Sequence, residues 1–359
     1  NKLIAFDVKS SHKIYKNTFS FIEPFLTDVK KIYVIPDGPL QNIPLHALPI
    51  NSSENCFDCS KINWLLNKYT FVYLPSVESL TKLNIKKKSV VEKIVKKEVK
   101  EKILKKITKT SDQYIFLGIG DPLLTIDVKK QISTEERLKR FAKLVRGGFV
   151  ANSTEIKNIY GPVDGSKDEL INIKNYLLPL KSLLLLSKDA TEDKIKQLDL
   201  KDFKIIHFAT HGEISGAIKG YNEPFLVLTP PDKGTLENDG ILSMSEIMLL
   251  ENNADIVILS ACNTAAGEST NAEGFSGLAR AFFYAGSKSL LVSHWYVETF
   301  AAKEITTTFF ENMKDDKNLS TSDSLNLSMQ KFIDNNEEKS HPFYWAPFVI
   351  VGADQNINL

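Results

Sequence analysis

Two apolar runs end in side chains capable of covalent chemistry. ADIVILSAC stops at Cys262, and FKIIHFATHG closes on the pair His211 and Gly212. An unperturbed thiol ionises near about pH 8.5, so at neutral pH it is a poor nucleophile until an imidazole assists it. A histidine delivered to the same place supplies that help. The backbone amides of Gly212 and Cys262 are then candidates to meet the oxyanion that develops on an attacked carbonyl. Glycine suits that position because no side chain blocks the approach. By residue type alone the pairing is only moderately specific, since a cysteine at a strand end also serves as a small buried hydrophobe. His207, four residues before His211, and His294 read as structural histidines with satisfied hydrogen bonds.

Delivery of both side chains to one place requires a particular framework. Short apolar segments bounded by turn residues recur at 31–38, 70–76, 114–122, 182–190, 203–212, 224–231, 254–262, 287–295 and 347–353. Runs that are apolar on both parities are strands buried on both faces, as in a parallel sheet covered by helices. Between them, KDELINIKNYLLPL has a helical apolar stripe, as does GFSGLARAFFYAG, which ends at Gly286 as a helix C-cap would. The alternation predicts an α/β fold with a mostly parallel sheet. Ligands in such sheets bind beyond the carboxyl ends of the strands, where neighbouring strands would present both His211 and Cys262.

The segment 85–110 carries Val91, Val95, Val99 and Ile103 at intervals of four among lysines, and predicts a solvated amphipathic helix. A docking surface for an acidic partner or nucleic acid is the alternative. A boundary near residue 110 divides 1–110 from 111–359. The stretch 133–154 predicts a surface loop, with a mobile insertion at the sheet rim as the alternative.

Composition narrows the function classes. With 45 Lys and Arg against 44 Asp and Glu in 359 residues, there is no global field to draw in nucleic acid or an anionic membrane. No apolar run approaches the roughly 20 residues of a membrane helix. Three cysteines do not make a disulfide framework, which predicts a reducing compartment and hence the cytoplasm. The chain opens at Asn1 without a signal peptide or Met, and is expected to be part of a longer polypeptide. Cys56 and Cys59 form a single C-x-x-C with only His46 nearby, short of the four ligands zinc wants. The GIGDP segment at 118–122 is an incomplete glycine fingerprint and reads as a turn. No metal and no cofactor are expected.

The blocks HFATHGEISG, DGILSMSEIMLLENNADIVILSACNTAAGE, EGFSGLARAFFYAGSKSLLVSHWYVET and HPFYWAPFVIVG closely resemble the CHAT family of caspase-like cysteine peptidases, related to separase and caspases. The N-terminal pieces YVIPDGPLQNIPLHALP, NKYTFVYLPSVESL and GIGDP follow the family's order, so the resemblance runs from about residue 22 to 353. It implies a caspase-like three-layer α/β sandwich with a mostly parallel central sheet flanked by helices. Residues 1–110 would be the N-terminal part of the CHAT region, a pseudo-caspase-like subdomain, and 111–359 the peptidase domain. It further implies a catalytic dyad of His211 and Cys262, with the Gly212 and Cys262 amides as oxyanion hole. The family's WPVD appears as Trp295, Tyr296, Val297 and Glu298. Glu298 is thereby a candidate to select a basic side chain before the cleaved bond. Thr299 stands where a second acid is common, and a surface or structural carboxylate is the alternative. The implied activity is a cysteine endopeptidase acting on a protein substrate. Upstream tetratricopeptide repeats or a partner would regulate it, in bacterial stress or antiphage defence, including CRISPR-linked proteolysis. A non-proteolytic caspase-like scaffold or protein-binding module is the rival. Neither direct nucleic-acid binding nor membrane association is expected.

Overall fold

The computed structural model describes residues 3–79, 114–124, 156, 160–213, 223–235, 237–260, 277–357 and 359. Cys262, the segments 85–110 and 133–154, and residue 110 itself lie outside them. Eight strands form one sheet: β1 (Lys31–Val34), β2 (Thr70–Tyr73), β3 (Phe116–Pro122), β4 (Ser182–Ser187), β5 (Ile205–Ala209), β9 (Ile256–Leu259), β10 (Ser289–Ser293) and β11 (Phe348–Gly352). A second, antiparallel sheet holds β6 (Gly212–Glu213), β7 (Phe225–Val227) and β8 (Ile241–Ser243). All nine expected strand segments form strands. The segment 224–231 differs in placement, for β7 pairs with the short strands on either side of it in sequence rather than entering the large sheet.

The large sheet is ordered β1-β2-β11-β10-β9-β5-β3-β4, and every pairing except β10 with β11 is parallel. β2 joins β11 through Tyr73 and Val351. The sheet therefore consists of two parallel blocks running in opposite senses, and the N-terminal strands reach the rest through the last strand of the chain. Strands from either side of residue 110 share this one sheet.

Helices cover both faces. On one lie α1 (Val8–Thr18), α3 (Glu192–Lys196), α4 (Met244–Leu249) and α5 (Gly277–Tyr284), whose Tyr15, Ile195, Ile247 and Phe282 pack with Ile206, Phe208, Val257 and Leu259. On the other lie α2 (Ser166–Tyr176), α6 (Thr299–Asp315), α7 (Thr321–Asn335) and α8 (Pro342–Trp345), whose Leu170, Ile305, Leu325 and Trp345 pack with Ile205, Ala209, Ile256 and Ile258. Successive strand residues thus feed opposite cores, as the pleat requires. Each fully buried aliphatic side chain contributes about 1.5–3 kcal/mol.

Local chemistry sets the helices that matter for the site. α2 carries Asp168 and Glu169 in its first turn and Lys174 in its last, matching the helix dipole, and buries Ser166, Glu169, Leu170 and Ile173 along one stripe. α5 terminates where expected, with Gly286 at φ +113; a Cβ there would sit 2.2 Å from the Asn252 carbonyl oxygen. Gly120 permits the close approach of β3 to β5, because a Cβ would fall 2.7 Å from the Ala209 carbonyl oxygen. This is the structural role of the second glycine in GIGDP.

Candidate active site

β5 is buried along its whole length, and its parity decides what its carboxyl end presents. Ile205 and Ala209 pack toward the side of α2 and α6, and His207 shares their parity. Past Ala209 the chain leaves the large sheet and is caught by β7. The Thr210 hydroxyl donates to the Val227 carbonyl, and the Val227 amide donates to the His211 carbonyl at 2.9 Å. His211 is thereby pinned between the two sheets.

Its ring is fixed as well. Nε2 lies 2.8 Å from the Gly161 carbonyl oxygen, and the ring packs on Tyr160 with centroids 5.5 Å apart. A carbonyl only accepts, so this contact places a ring proton on Nε2. A cavity of about 140 Å³ opens beside the ring, bordered by Asp164, Glu169, Ser260, Tyr296 and Val297. Gly212 begins β6 opposite Leu226. Because Val227 donates to the residue before it, Gly212 forms a non-hydrogen-bonded pair, and its amide is left out of the ladder.

β9 runs parallel to β5 with His207 opposite Ile258 and Phe208 opposite Leu259. The Ser260 amide continues the ladder, donating to the Phe208 carbonyl at 2.9 Å. Ser260 is the last described residue on this side, two positions before Cys262.

Beneath the cavity sits a group that the sequence did not single out. Glu169 is 4% exposed, and one of its oxygens, Oε1, accepts from Ser260 Oγ at 2.9 Å and Thr306 Oγ1 at 2.9 Å. His207 Nε2 stands 3.1 Å from the same oxygen and 2.9 Å from Ser260 Oγ. Burial opposes the charge on Glu169. The charge and hydrogen bond of His207, and the two hydroxyls, outweigh that penalty and hold the carboxyl below its usual range. The available signal was an acid lying on the apolar stripe of α2 with Leu170 and Ile173.

Other expectations fare differently. Glu298 caps α6, accepting from the Ala301 amide at 3.0 Å, and pairs with Lys339 at 3.2 Å. Its neighbours Tyr296, Val297 and Thr299 line the cavity. His294 is buried, but neither ring nitrogen has a hydrogen-bond partner among the described residues, contrary to the expectation of a satisfied histidine. Cys56 and Cys59 are joined by a disulfide, with Cα atoms 5.4 Å apart, a spacing that such a bond accepts. This corrects the expectation of reduced cysteines and removes cysteine usage as support for a reducing compartment. Among the described residues no cluster of His, Cys, Asp and Glu is suited to a metal ion, and no helix is long and apolar enough to cross a membrane.

Comparison with known proteins places this geometry in context. The CHAT domain family matches residues 8–353. Tetratricopeptide repeat protein 28 of Mus musculus is 25% identical over 230 residues, covering 56% of this chain and 9% of that protein. Its Homo sapiens counterpart is 23% identical over 230 residues with the same shares. The chain thus spans a small fraction of the curated relatives it matches. Among solved structures, the Arg-specific cysteine proteinase gingipain R aligns over 98% of this chain and 67% of its own at 10% identity and a TM-score of 0.46. Separase from Saccharomyces cerevisiae, in its complex with securin, aligns over 84% of this chain and 15% of its own at 12% identity and a TM-score of 0.41.

Proposed function

The chain belongs to the CHAT domain family, and from that premise we propose that it is a cysteine endopeptidase whose dyad is His211 and Cys262. The observation that carries this reading is the fixed ring of His211 just past the carboxyl end of β5, with Nε2 committed to the Gly161 carbonyl and the ring lining the cavity. The register supports it. β5 and β9 run parallel with His207 opposite Ile258, so the chain segments that lead to 211 and 262 leave the same edge of the sheet. Cys262 is also the one cysteine outside the Cys56–Cys59 bond.

In this mechanism His211 Nδ1 takes the Cys262 thiol proton and the thiolate attacks the peptide carbonyl, forming a carbon–sulfur bond and an oxyanion that the Gly212 and Cys262 amides stabilise. Collapse expels the amine, which takes its proton from His211 Nδ1. Water, deprotonated by the same nitrogen, then cleaves the thioester and frees the thiol. The cavity receives the side chain preceding the bond. Two carboxylates, Asp164 and Glu169, border it, which favours a cationic side chain there. Glu298 acts on specificity through the wall it holds, since its own carboxylate is engaged by Ala301 and Lys339.

The division into a 1–110 subdomain and a 111–359 peptidase domain, a cytoplasmic setting, control by upstream repeats or a partner, and a role in bacterial stress or antiphage defence belong to the same proposal. C262A and H211A should each abolish cleavage of the native target; full activity in either ends this reading. A thiol-directed peptide electrophile should label Cys262. The rival, a non-proteolytic scaffold, predicts unchanged partner binding and no cleavage in the wild-type chain.

A further inference from the structure

The proposed chemistry gives Glu169 no bond-making step, yet its carboxylate is held by several side chains at once. One carboxylate oxygen receives groups from three other elements: His207 from β5, Ser260 from the end of β9, and Thr306 from α6. Glu169 itself belongs to α2, so four elements meet at one atom. Most of this is buried: Glu169 is 4% exposed and His207 and Thr306 are 0% exposed, while Ser260 is half-buried at the cavity. Hydrogen bonds to an ionised acceptor are roughly twice as strong as neutral ones, and low dielectric couples them. The Thr306 hydroxyl is shared with its own helix carbonyl, Ala302, at 2.8 Å, so it reads the position of α6 against Glu169. His207 Nδ1 has no partner among the described residues, so the polar anchoring of that ring is on the Nε2 side.

We propose that Glu169 is a positioning residue that ties the carboxyl ends of β5 and β9 to α2 and α6, setting the relation of His211 to Cys262. His207 lies four residues before His211, and Ser260 two before Cys262, so both strand ends are fastened to the same carboxylate just short of the reacting groups. The proposal rests on the dyad reading above. Its consequence is specific: loosening the network should separate imidazole from thiol while leaving the fold intact.

Alkylation of Cys262 by iodoacetamide in the intact, non-reduced chain, followed by mass spectrometry across pH, reads that relation without the natural substrate. The Cys56–Cys59 bond leaves Cys262 as the remaining thiol. A thiolate supported by imidazole should react at about pH 6 at least about tenfold faster than in H211A. T306V and S260A each remove one hydroxyl and keep the charge; both should bring the rate at about pH 6 down toward that of H211A. At about pH 9, where the thiol ionises unaided, all should converge. T306S should restore the wild-type profile, and E169Q should show the largest loss. Thermal midpoints measured alongside separate loss of position from loss of fold, and if E169Q does not fold, the two hydroxyl variants decide. Wild-type rates at about pH 6 in folded T306V and S260A overturn the positioning role and leave the dyad standing. A wild-type chain no faster than H211A overturns the dyad reading and the positioning role with it.

Discussion

His207 and His294 both lie in packed surroundings at the central sheet, at 0% and 5% exposure, yet one meets a carboxylate and the other has no hydrogen-bond partner for its ring among the described residues. At His207, Glu169 arrives from α2 with two hydroxyls to share its oxygen. At His294 there is packing against Tyr73 and Trp295 and no hydrogen bond to either ring nitrogen among the described residues. Burial pushes the His294 imidazole down to about 4. Nearby His46 is pushed down to about 3 by burial and by His294, offset in part by the Ala346 carbonyl. The same sheet therefore keeps an anchored charge at one strand end and excludes charge at another. The anchored charge lies under the cavity, where strand ends must hold a fixed relation. The excluded one fills space.

The comparison breaks most visibly at Glu169. E169A removes an acceptor from two buried partners and one half-buried one, and breaking a buried charged network typically destabilises by about 3–5 kcal/mol. Urea denaturation should show a loss of that size. A loss under about 1 kcal/mol would mean that the network is decorative and the contrast with His294 empty.

Acid titration separates the two regions by pH window. His294 binds a proton at about 4 in the folded chain and at 6.5 when unperturbed, so between those values the unfolded state holds more protons and folding weakens as pH falls. The shift corresponds to roughly 3 kcal/mol for this residue. His46 extends the window to about 3. Glu169 has the opposite ionisation but the same sign. Its stabilisation is complete above the unperturbed 4.5 and is lost as pH falls through its lower folded value. Urea midpoints from pH 7 downward should fall first through the histidine window and then through that of Glu169. H294L should flatten the first decline, and E169Q the second. A single decline unaffected by either variant would contradict both assignments.

A smaller effect sharpens the network itself. T306V deletes one hydroxyl that donates to a charged oxygen, a bond worth about 1.5–3 kcal/mol, and the sharing with Ala302 puts the expected loss at the lower end. T306S should recover most of it in the same denaturation experiment.

What the sequence disclosed follows from the range of the forces involved. The runs at β5 and β9 were legible because both parities are apolar, which only a doubly covered strand explains, and His211 stood out because Gly212 ends the run. Glu169 was hidden because its partners Ser260 and Thr306 are 91 and 137 positions away, and no local pattern records such a meeting. β8 was missed because Ile241–Ser243 offers three residues, too short for periodicity to show. The Cys56–Cys59 bond was missed because C-x-x-C spacing alone is equally compatible with free thiols. Residue type predicts satisfied nitrogens at His294 because buried polar groups usually have partners; the packing of Tyr73 and Trp295 around it follows from the tertiary fold.

The smallest effect tests the other half of the contrast. H294L exchanges a ring whose nitrogens have no hydrogen-bond partner among the described residues for an aliphatic group of similar bulk. Removing a buried polar group that makes no bond relieves a desolvation penalty, while the change of shape costs under about 1.5 kcal/mol. The two terms oppose, so stability at pH 7 should change by less than about 1 kcal/mol in either direction. The same logic forbids that outcome for H207L, which would strip Glu169 of one of its three partners and leave the carboxylate less compensated. Equal stabilities for H294L and H207L at pH 7 would show that the carboxylate adds nothing to what burial already does.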